Sequence, residues 1–273
     1  MTVAAVCLRA GMSRQNYYAV RRERQRRTVH EELAVSCIKR ERRDQPRLGG
    51  RKLQHILKDE LAEAGVLMGR DRWFELLRAN GLLVERKRSR ARTTNSRHSL
   101  PVFRNLVADM KLDGPNQAWA SDLTYIRTEG GFMYAALITD MYSRKIVGSY
   151  IGDSLEAEGC IRALTEAVRD LPPWAHPVHH SDRGCQYCCH PYVEQLQKRE
   201  LPVSMTEVLH CYENALAERV NGILKQEYEL DRTFKTKAQA VAAFQQAVQL
   251  YNHRRPHLAL KYRTPAQVHE EAV

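Results

Sequence analysis

The sequence predicts an α/β domain preceded by a smaller, basic, all-α region. From residue 115 onward, apolar side chains alternate with polar ones in runs rich in β-branched and aromatic residues, which is typical of strands. The preceding residues place apolar side chains at helical spacing instead. With 273 residues, of which 43% are hydrophobic, the chain is long enough to bury a core, and a wholly disordered basic protein is excluded.

The positive charge of the chain lies almost entirely in its first third. Residues 1–100 hold 24 Lys+Arg against 11 Asp+Glu, whereas residues 101–273 hold 19 against 21, so a net charge of +11 divides into +13 and −2. This asymmetry favours a front region that binds a polyanion, most often nucleic acid. The alternative is an arginine-rich surface that only serves solubility.

Compartment and redox state follow from features that the sequence lacks. No run approaches the ~20 apolar residues of a membrane-spanning helix, and no signal peptide precedes the domain. The 7 cysteines are scattered, which does not suit a secreted disulfide framework. We therefore expect a cytoplasmic, nucleoid-associated protein with reduced thiols and no membrane partner.

Helices account for the first 84 residues. An apolar helix, a turn at Gly11 and a helix capped by Ser13 resemble a helix-turn-helix. Two further helices are predicted over residues 29–43 and 51–64.

The next helix, predicted over residues 70–79, places Arg70 and Arg72 on its open face, where they suit contacts with DNA phosphates. A basic segment without apolar periodicity follows and is interpreted as a linker along the phosphate backbone. Its predicted DNA-binding residues are Arg86, Lys87, Arg88 and Arg90.

Three antiparallel strands open the second region. Residues 119–128 and 132–140 flank Gly130-Gly131 as a hairpin, and residues 145–151 form the third strand. The pattern then predicts a helix over 155–168, a short buried strand over 177–180 and a helix over 192–198. The order is therefore β-β-β-α-β-α.

Three acidic residues in this region call for a chemical explanation. Asp122 interrupts a strand that otherwise looks buried, and Asp182 follows directly on the short strand. Glu218 lies on a predicted helix, with 35 residues between it and Asp182 and with Asn214, Asn221 and Lys225 near the same face. An oxygen-only set of ligands is the preference of Mg²⁺ or Mn²⁺. Beside a basic front region, it suggests two-metal phosphoryl transfer on nucleic acid.

The same residues lie in motifs that resemble a known family. WASDLTYIRT around Asp122, HSDRGCQY around Asp182 and YENALAERVNGILKQE around Glu218 are similar to the Asp-Asp-Glu (DDE) core of bacterial insertion-sequence transposases. More narrowly, they resemble the OrfB-type product of the insertion-sequence-three group, which is related to retroviral integrases. Residues 132–148 and 251–268 extend the resemblance.

The resemblance implies a ribonuclease-H-like, integrase-type core, with a mixed sheet flanked by helices. Asp122, Asp182 and Glu218 would be catalytic and would hold two Mg²⁺ ions, for which Mn²⁺ can substitute. One ion would activate a water or a DNA 3′-hydroxyl, and the other would stabilise the leaving oxygen. Nicking at the element end would precede attack of the freed 3′-hydroxyl on a second phosphodiester. Lys225 matches a family lysine expected to contact DNA near the cleavage site.

The resemblance also implies partners and a domain order. The partners are double-stranded DNA, both element ends and target, and further copies of the chain. Fusion with an upstream-frame helix-turn-helix product is a further expectation, which the start of an apolar helix at Val3 favours. We expect a partial helix-turn-helix-like segment (1–27), a helical DNA-binding domain (28–84), a basic linker (85–112), the catalytic core (113–235) and a helical extension (236–273).

Several other residues have competing interpretations. Cys185, Cys188, Cys189 and His190 have zinc-like spacing, with Cys211 or His179 completing the shell, but a second paired motif is missing. Asp140 is either a fourth metal ligand or, more often in such a position, a turn cap.

The two adjacent histidines, His179 and His180, are either general bases or residues that orient Asp182 or line the cleft. Residues 251–257 either bind DNA or clamp the core, and the sequence favours neither.

Two other functions compete with transposition. A DNA-binding regulator without enzymatic activity would account for the basic front region. A structure-selective nuclease would use the same acids but would never join strands.

Overall fold

The computed structural model describes residues 2–85, 100–207 and 214–271, and it divides the chain into two compact units. The first unit comprises residues 1–44 and 48–85, and the second comprises residues 45–47 and 86–273. Four predicted DNA-binding residues of the linker, Arg86, Lys87, Arg88 and Arg90, lie outside the described residues.

The described part of the first unit is helical, as predicted. Its helices are α1 (Val3–Arg9), α2 (Arg14–Asp44), α3 (Gly50–Glu63) and α4 (Arg70–Ala79).

The turn between α1 and α2 contains Gly11 at φ +62°. The Ser13 hydroxyl then accepts a hydrogen bond of 3.1 Å from the backbone N–H of Asn16, which is the predicted N-cap.

The second helix differs from the prediction. The sequence pattern suggested a new helix at Val29, but α2 is continuous over 31 residues, about 46 Å long. No glycine or proline interrupts residues 14–44, so the backbone has no reason to break there. The first half of α2 is polar and exposed, so its apolar residues show no helical period from which a helix could be predicted.

The core of the first unit forms where the end of α2 meets α3 and α4. Ile38, Leu53, Leu57, Trp73 and Leu77 are almost fully buried there. The indole N–H of Trp73 donates a 2.9 Å hydrogen bond to the carbonyl oxygen of Gly50. This bond fixes the start of α3 against α4.

The second unit alternates strands and helices in the predicted order. Its strands are β1 (Ala118–Thr128), β2 (Gly131–Asp140), β3 (Ile146–Gly152), β4 (Val178–Ser181), β5 (Val203–Met205) and β6 (Thr233–Phe234). Its helices are α5 (Ala157–Arg169), α6 (Cys185–Cys188), α7 (His190–Gln197), α8 (Ala215–Glu227), α9 (Lys237–His253) and α10 (Pro265–Glu270), with a 3₁₀ turn at Leu258–Leu260.

The strands form one mixed sheet with the order β3-β2-β1-β4-β5, and β6 pairs with the far end of β1. The pairs β1–β2 and β2–β3 are antiparallel, as predicted, whereas β4 runs parallel to both β1 and β5. Because β4 ends beside residue 121 and β6 begins beside residue 127, no strand among the described residues pairs with β1 on this side over residues 122–126.

Helices pack on both faces of the sheet. Alternate apolar residues of β2 point to opposite faces and belong to the two hydrophobic cores. Met133, Ala135 and Leu137 pack with residues of α8 and α9. Ala136 and Ile138 pack on the other face with residues of α5, α6 and α7. A strand that is apolar on both faces belongs in the middle of such a three-layer structure, and the predicted mixed sheet flanked by helices is confirmed.

None of the helices in the described ranges is long and apolar enough to cross a membrane. The boundaries of the five segments predicted from the sequence, from the helix-turn-helix-like segment to the helical extension, stay predictions.

Gly148 provides a test of the packing between β3 and α5. A Cβ atom there would lie 2.2 Å from the Ala163 carbonyl oxygen and 2.8 Å from Ala167 Cβ. We expect Gly148→Ala to lower the free energy of unfolding by about 2 to 3 kcal/mol, measured by urea denaturation. Gly222→Ala is the control, since its Cβ would meet no atom within 4 Å. It should stabilise α8 by about 0.5 to 1 kcal/mol, and equal effects of the two variants would contradict this packing.

Candidate active site

Asp122 lies in the middle of β1 and faces α8. Its cross-strand partner Leu137 belongs to the core on that side of the sheet, and paired residues share a face. Oδ2 of the partly buried carboxylate accepts a 2.7 Å hydrogen bond from Nδ2 of Asn221. Oδ1 accepts one of 2.9 Å from the backbone N–H of Leu123. Both bonds fix the orientation of the carboxylate.

Asp182 lies beside Asp122 because of the parallel register of β1 and β4. Ser121 of β1 pairs with Ser181 of β4, and an aspartate directly follows each of these serines. Asp122 and Asp182 are therefore neighbours where β4 ends. Oδ1 of Asp182 accepts a 2.9 Å hydrogen bond from the backbone N–H of Gly184. The sequence prediction that strand ends bring these two acids together is consistent with this register.

Glu218 lies in the first turn of α8 and is exposed. Two asparagines attach this helix to β1, one on each side of Glu218. Asn214 donates a 3.1 Å hydrogen bond from Nδ2 to the Ser121 carbonyl oxygen, and Asn221 donates to Asp122. The helix therefore carries Glu218 to the two aspartates.

The three carboxylates repel one another. Burial, together with the charge of Asp182, raises the pKa of Asp122 to about 7, and the charge of Glu218 acts in the same direction. The hydrogen bonds from Asn221 and Leu123 oppose this rise. Burial and the charge of Asp182 also raise the pKa of Glu218. Mutual repulsion of this kind is relieved by a proton or by a cation.

The donor chemistry of the three acids fits a hard divalent cation, because all the ligands are oxygens. The acids lie within electrostatic reach of one another. However, no three His, Cys, Asp or Glu side chains in the described ranges converge as a group that could hold a metal ion.

Lys225 lies two turns along α8 from Glu218. Its Nζ lies 4.3 Å from the centre of the Tyr125 ring, a cation–π contact. Burial lowers the pKa of Lys225, and the charge of Asp122 opposes this effect. The lysine therefore approaches the acids and the end of β1 together.

Buried histidines brace the strands behind the acids. Nε2 of His179 lies 2.7 Å from Ser121 Oγ and 2.8 Å from the Tyr192 hydroxyl. Burial lowers the pKa of His179 to about 3, so the ring is neutral. Nδ1 of His180 lies 2.8 Å from Ser204 Oγ. Because both rings are almost fully buried, neither is placed to exchange protons with a substrate as a general base.

Asp140 is a turn cap, the more common of its two interpretations. Its carboxylate accepts hydrogen bonds from the backbone N–H and hydroxyl of Ser143 and from the backbone N–H of Asn116, all at 2.7 to 2.8 Å. These bonds lower the pKa of Asp140 despite its burial, as does nearby His269. Its oxygens are thus committed to holding the turn.

The cysteine cluster does not form a zinc shell in the described part of the chain. Cys188 is buried with Sγ 3.6 Å from the Met205 sulfur, while Cys185 is exposed and has no such contact. The Sγ of Cys189 donates to the carbonyl oxygen of Gln186. The candidate Cys211 lies outside the described residues.

Residues 251–257 clamp the core. The buried guanidinium of Arg255 forms two 2.8 Å hydrogen bonds with the carboxylate of Glu227 at the end of α8. The side-chain amide of Asn252 pairs with both backbone groups of Ile146 at 2.9 Å. Tyr251 is fully buried, and its ring packs edge-on against His257. The clamp interpretation fits these contacts better than DNA binding does.

The arginines predicted on α4 are partly engaged. Arg72 forms ion pairs with Glu31 and Glu75, and Arg70 pairs with its neighbour Asp71 at 2.9 Å. Arg70 stays exposed, whereas Arg72 is largely committed to contacts within the first unit. Their contact with DNA stays a prediction.

Comparison with known proteins gives consistent matches. Residues 113–211 match the integrase core domain family, and residues 199–265 match a second family of that description. The chain is 36% identical to the "Insertion element IS600 uncharacterized 31 kDa protein" of Shigella sonnei, over 97% of this chain and 98% of that protein. It is 32% identical to the "Transposase InsF for insertion sequence IS3fB" of Escherichia coli K12, over 83% and 79% of the two chains. A solved structure, the HTLV-2 integrase catalytic core domain in complex with magnesium, is 19% identical at a TM-score of 0.46, over 58% and 99%.

The raised pKa of Asp122 predicts how stability depends on pH in a chelator. Between about pH 4 and pH 7 the native state retains a proton that the unfolded chain has released, so the free energy of unfolding falls as the pH rises. Asp122→Asn removes this effect. As the pH rises, the free energy of unfolding of the variant should increasingly exceed that of the parent. We expect a difference on the order of 2 kcal/mol at pH 8, measured by urea denaturation.

Asp170→Asn is the matched control, since the Asp170 side chain is 81% exposed. Its stability should follow that of the parent at every pH. Parallel pH profiles for the parent and Asp122→Asn would show that this carboxylate is not perturbed.

Proposed function

The chain belongs to the IS3-type insertion-sequence transposases, enzymes that have an integrase core domain and cut and join DNA, and we propose that Asp122, Asp182 and Glu218 are its catalytic carboxylates. The observation that carries this proposal is the register of β1 and β4, which places two aspartates side by side. Asn214 and Asn221 then attach the helix of Glu218 to β1. Two of the acids therefore lie side by side where β4 ends, and the third lies on the helix that the two asparagines hold against β1.

The cofactor is Mg²⁺, for which Mn²⁺ can substitute, with two ions held by the three carboxylates. Bound there, the metal would supply a deprotonated attacking oxygen and would stabilise the charge on the leaving oxygen. The raised pKa values of Asp122 and Glu218 support this proposal, because a cation offsets the repulsion that, together with burial, raises them.

The residues around the acids position the reacting groups. Asn221 and the Leu123 backbone hold the Asp122 carboxylate in one orientation, and His179 braces the neighbouring residue Ser121 without taking part in proton transfer. Lys225, as a compact cation near Asp122, suits a contact with a DNA phosphate beside the cleaved bond.

The reaction proceeds as two successive phosphoryl transfers. Water first attacks the phosphodiester at the element end, which breaks the bond to the 3′-oxygen and leaves a 3′-hydroxyl. That hydroxyl then attacks a second phosphodiester and displaces its 3′-oxygen. Each step exchanges one P–O bond for another, so joining requires no ATP.

The basic first unit supplies general affinity for DNA, and the structure suggests which face does so. Arg14, Arg21 and Arg24 lie on one side of α2, because separations of seven and ten residues are close to two and three helical turns. All three are exposed, and no ion pair is found for them within the described residues. By contrast, Arg26 and Arg27 pair with Glu23 and Glu31.

The remaining partners follow from the family. We expect the enzyme to bind two element ends and a target duplex as an oligomer in the cytoplasm, on the nucleoid. Fusion to an upstream-frame helix-turn-helix product stays part of the proposal.

The catalytic proposal is tested on a supercoiled donor plasmid carrying the element ends, with Mg²⁺ present. Asp122→Asn and Glu218→Gln should each reduce nicking at least about a hundredfold, because lost metal ligands remove several kcal/mol of transition-state stabilisation. DNA binding in chelator should be unchanged, and Asp170→Asn should nick normally. Persisting activity in both variants would exclude these acids.

The same assay separates the two competing functions. A pre-nicked 3′-hydroxyl end should yield joined product, which a structure-selective nuclease would not form. A regulator without enzymatic activity would bind DNA and give no cleavage product at all.

The DNA-binding proposal is tested with two double variants of α2 that remove equal charge. Arg21→Ala with Arg24→Ala should weaken binding to duplex DNA about tenfold at physiological salt and reduce the slope of log K against log salt by about 2. Arg22→Ala with Arg26→Ala, on the opposite side of the helix, should change the slope less. Equal slopes for both pairs, measured by fluorescence anisotropy, would mean that no particular face of α2 contacts DNA.

A further inference from the structure

Four aromatic residues lie on one face of the β1–β2–β3 sheet, and no role has been given to them above. Tyr125 pairs with Tyr134 across β1 and β2, and Phe132 lies two residues from Tyr134 on the same face. Tyr150 on β3 pairs with Ala136, which also shares this face. Tyr125, Phe132, Tyr134 and Tyr150 are named here the aromatic platform.

The aromatic platform is only partly covered. The same face is closed further along β2, where Ala136 and Ile138 pack against Cys160, Ala163 and Leu164 of α5. At the platform, however, all four rings retain solvent exposure, and Phe132 is 49% exposed. Tyr150 also packs against the core of this face, whereas Phe132 forms the open end of the row and is available for an interaction.

Cations lie against these rings. Lys225 Nζ is 4.3 Å from the centre of the Tyr125 ring, and Arg162 Cζ is 5.1 Å from that of Tyr150. Phe132 packs edge-on against Tyr125, with the ring centres 5.3 Å apart. Aromatic faces beside basic side chains are the combination by which proteins bind single-stranded nucleic acid.

The platform lies close to the proposed catalytic acids. Tyr125 follows Asp122 by three residues on one strand, about 10 Å, which is the length of about three stacked nucleotides. The two side chains point to opposite faces of β1, but in the part of the chain that the structure describes no strand pairs with residues 122–126 on one side. Lys225 of α8 contacts the Tyr125 ring and interacts electrostatically with Asp122. It therefore lies between the face of β1 that bears Tyr125 and the face that bears Asp122.

We propose that the aromatic platform stacks unpaired bases of the DNA strand next to the cleaved phosphodiester. Lys225 neutralises a phosphate of those nucleotides, Arg162, which is paired with Glu158, lies against the Tyr150 ring, and Phe132 provides the most exposed ring. This inference rests on the proposed function, since it assumes that the acids act on DNA. The platform favours frayed or single-stranded ends without reading their sequence, because every base has a face on which a ring can stack.

The test uses the full chain in chelator, so that no cleavage is needed. The probe is a short duplex with a three-nucleotide single-stranded extension containing 2-aminopurine, whose fluorescence is quenched when it stacks. The parent should quench the probe and bind it more tightly than the blunt duplex. Phe132→Ala should abolish most of the quenching and weaken binding of the extended DNA about tenfold, while binding to the blunt duplex changes less than twofold.

Two further variants control for folding and for apolar surface. Phe132→Leu retains an apolar side chain without a ring, so it should behave like Phe132→Ala, whereas Phe132→Trp should restore quenching. Trp174→Ala removes another aromatic side chain, 70% exposed, in the loop before β4. Since Asp182 follows the other end of β4, this control should quench as the parent does.

Three outcomes would overturn the proposal. These are unchanged quenching in Phe132→Ala and Phe132→Leu, an equal loss of affinity for blunt and extended DNA, or altered sedimentation of these variants with normal quenching. The last result would identify the platform as a contact between copies of the chain. Asp122→Asn should quench like the parent, so failure of the catalytic proposal and failure of this one give different results.

Discussion

The structure of the second unit depends on holding negative charges together at one edge of a sheet. Asp122 and Asp182 are neighbours because β1 and β4 run parallel and in register, and burial together with the repulsion from Asp182 raises the pKa of Asp122 to about 7. The surroundings offset this repulsion with hydrogen bonds from Asn221 and the Leu123 backbone. A group of acids whose mutual repulsion helps to raise the pKa values of Asp122 and Glu218 is stabilised by a bound cation.

The sequence predicted those parts of the fold in which one physical signal dominates. The period of two in β1, β2 and β3 predicted three antiparallel strands, since a one-residue shift would turn every apolar side chain to the wrong face. It also placed Asp122 within a strand, where a charge requires an explanation, while Asp182 was predicted to follow directly on a later short strand. The family motifs then joined these acids to Glu218, which lies far away in sequence.

Other features could not be predicted because they depend on pairing between distant segments. The hydrogen bond from Asn221 to Asp122 spans 99 residues, and the Ser121–His179–Tyr192 network joins two strands and a helix. A polar residue on a predicted helix gives no sign of which carboxylate it will contact. The length of α2 was missed for the opposite reason, since its first half is polar and makes no core contacts that would reveal a period.

The contacts of the segment after residue 250 determine when the second unit can finish folding. Asn252 forms hydrogen bonds with the backbone of Ile146 on β3, and Arg255 binds Glu227 at the end of α8. His269 lies within hydrogen-bond distance of Ser143 in the turn after β2. The strands β1, β2 and β3 are therefore synthesised before the residues beyond 250 that contact them, which leave the ribosome last. Until then the β1–β2–β3 meander exposes apolar surface and unpaired edges, which are the features that chaperones recognise and that lead to aggregation. A chain released before residue 255 would lack the two hydrogen bonds between Arg255 and Glu227 at the end of α8.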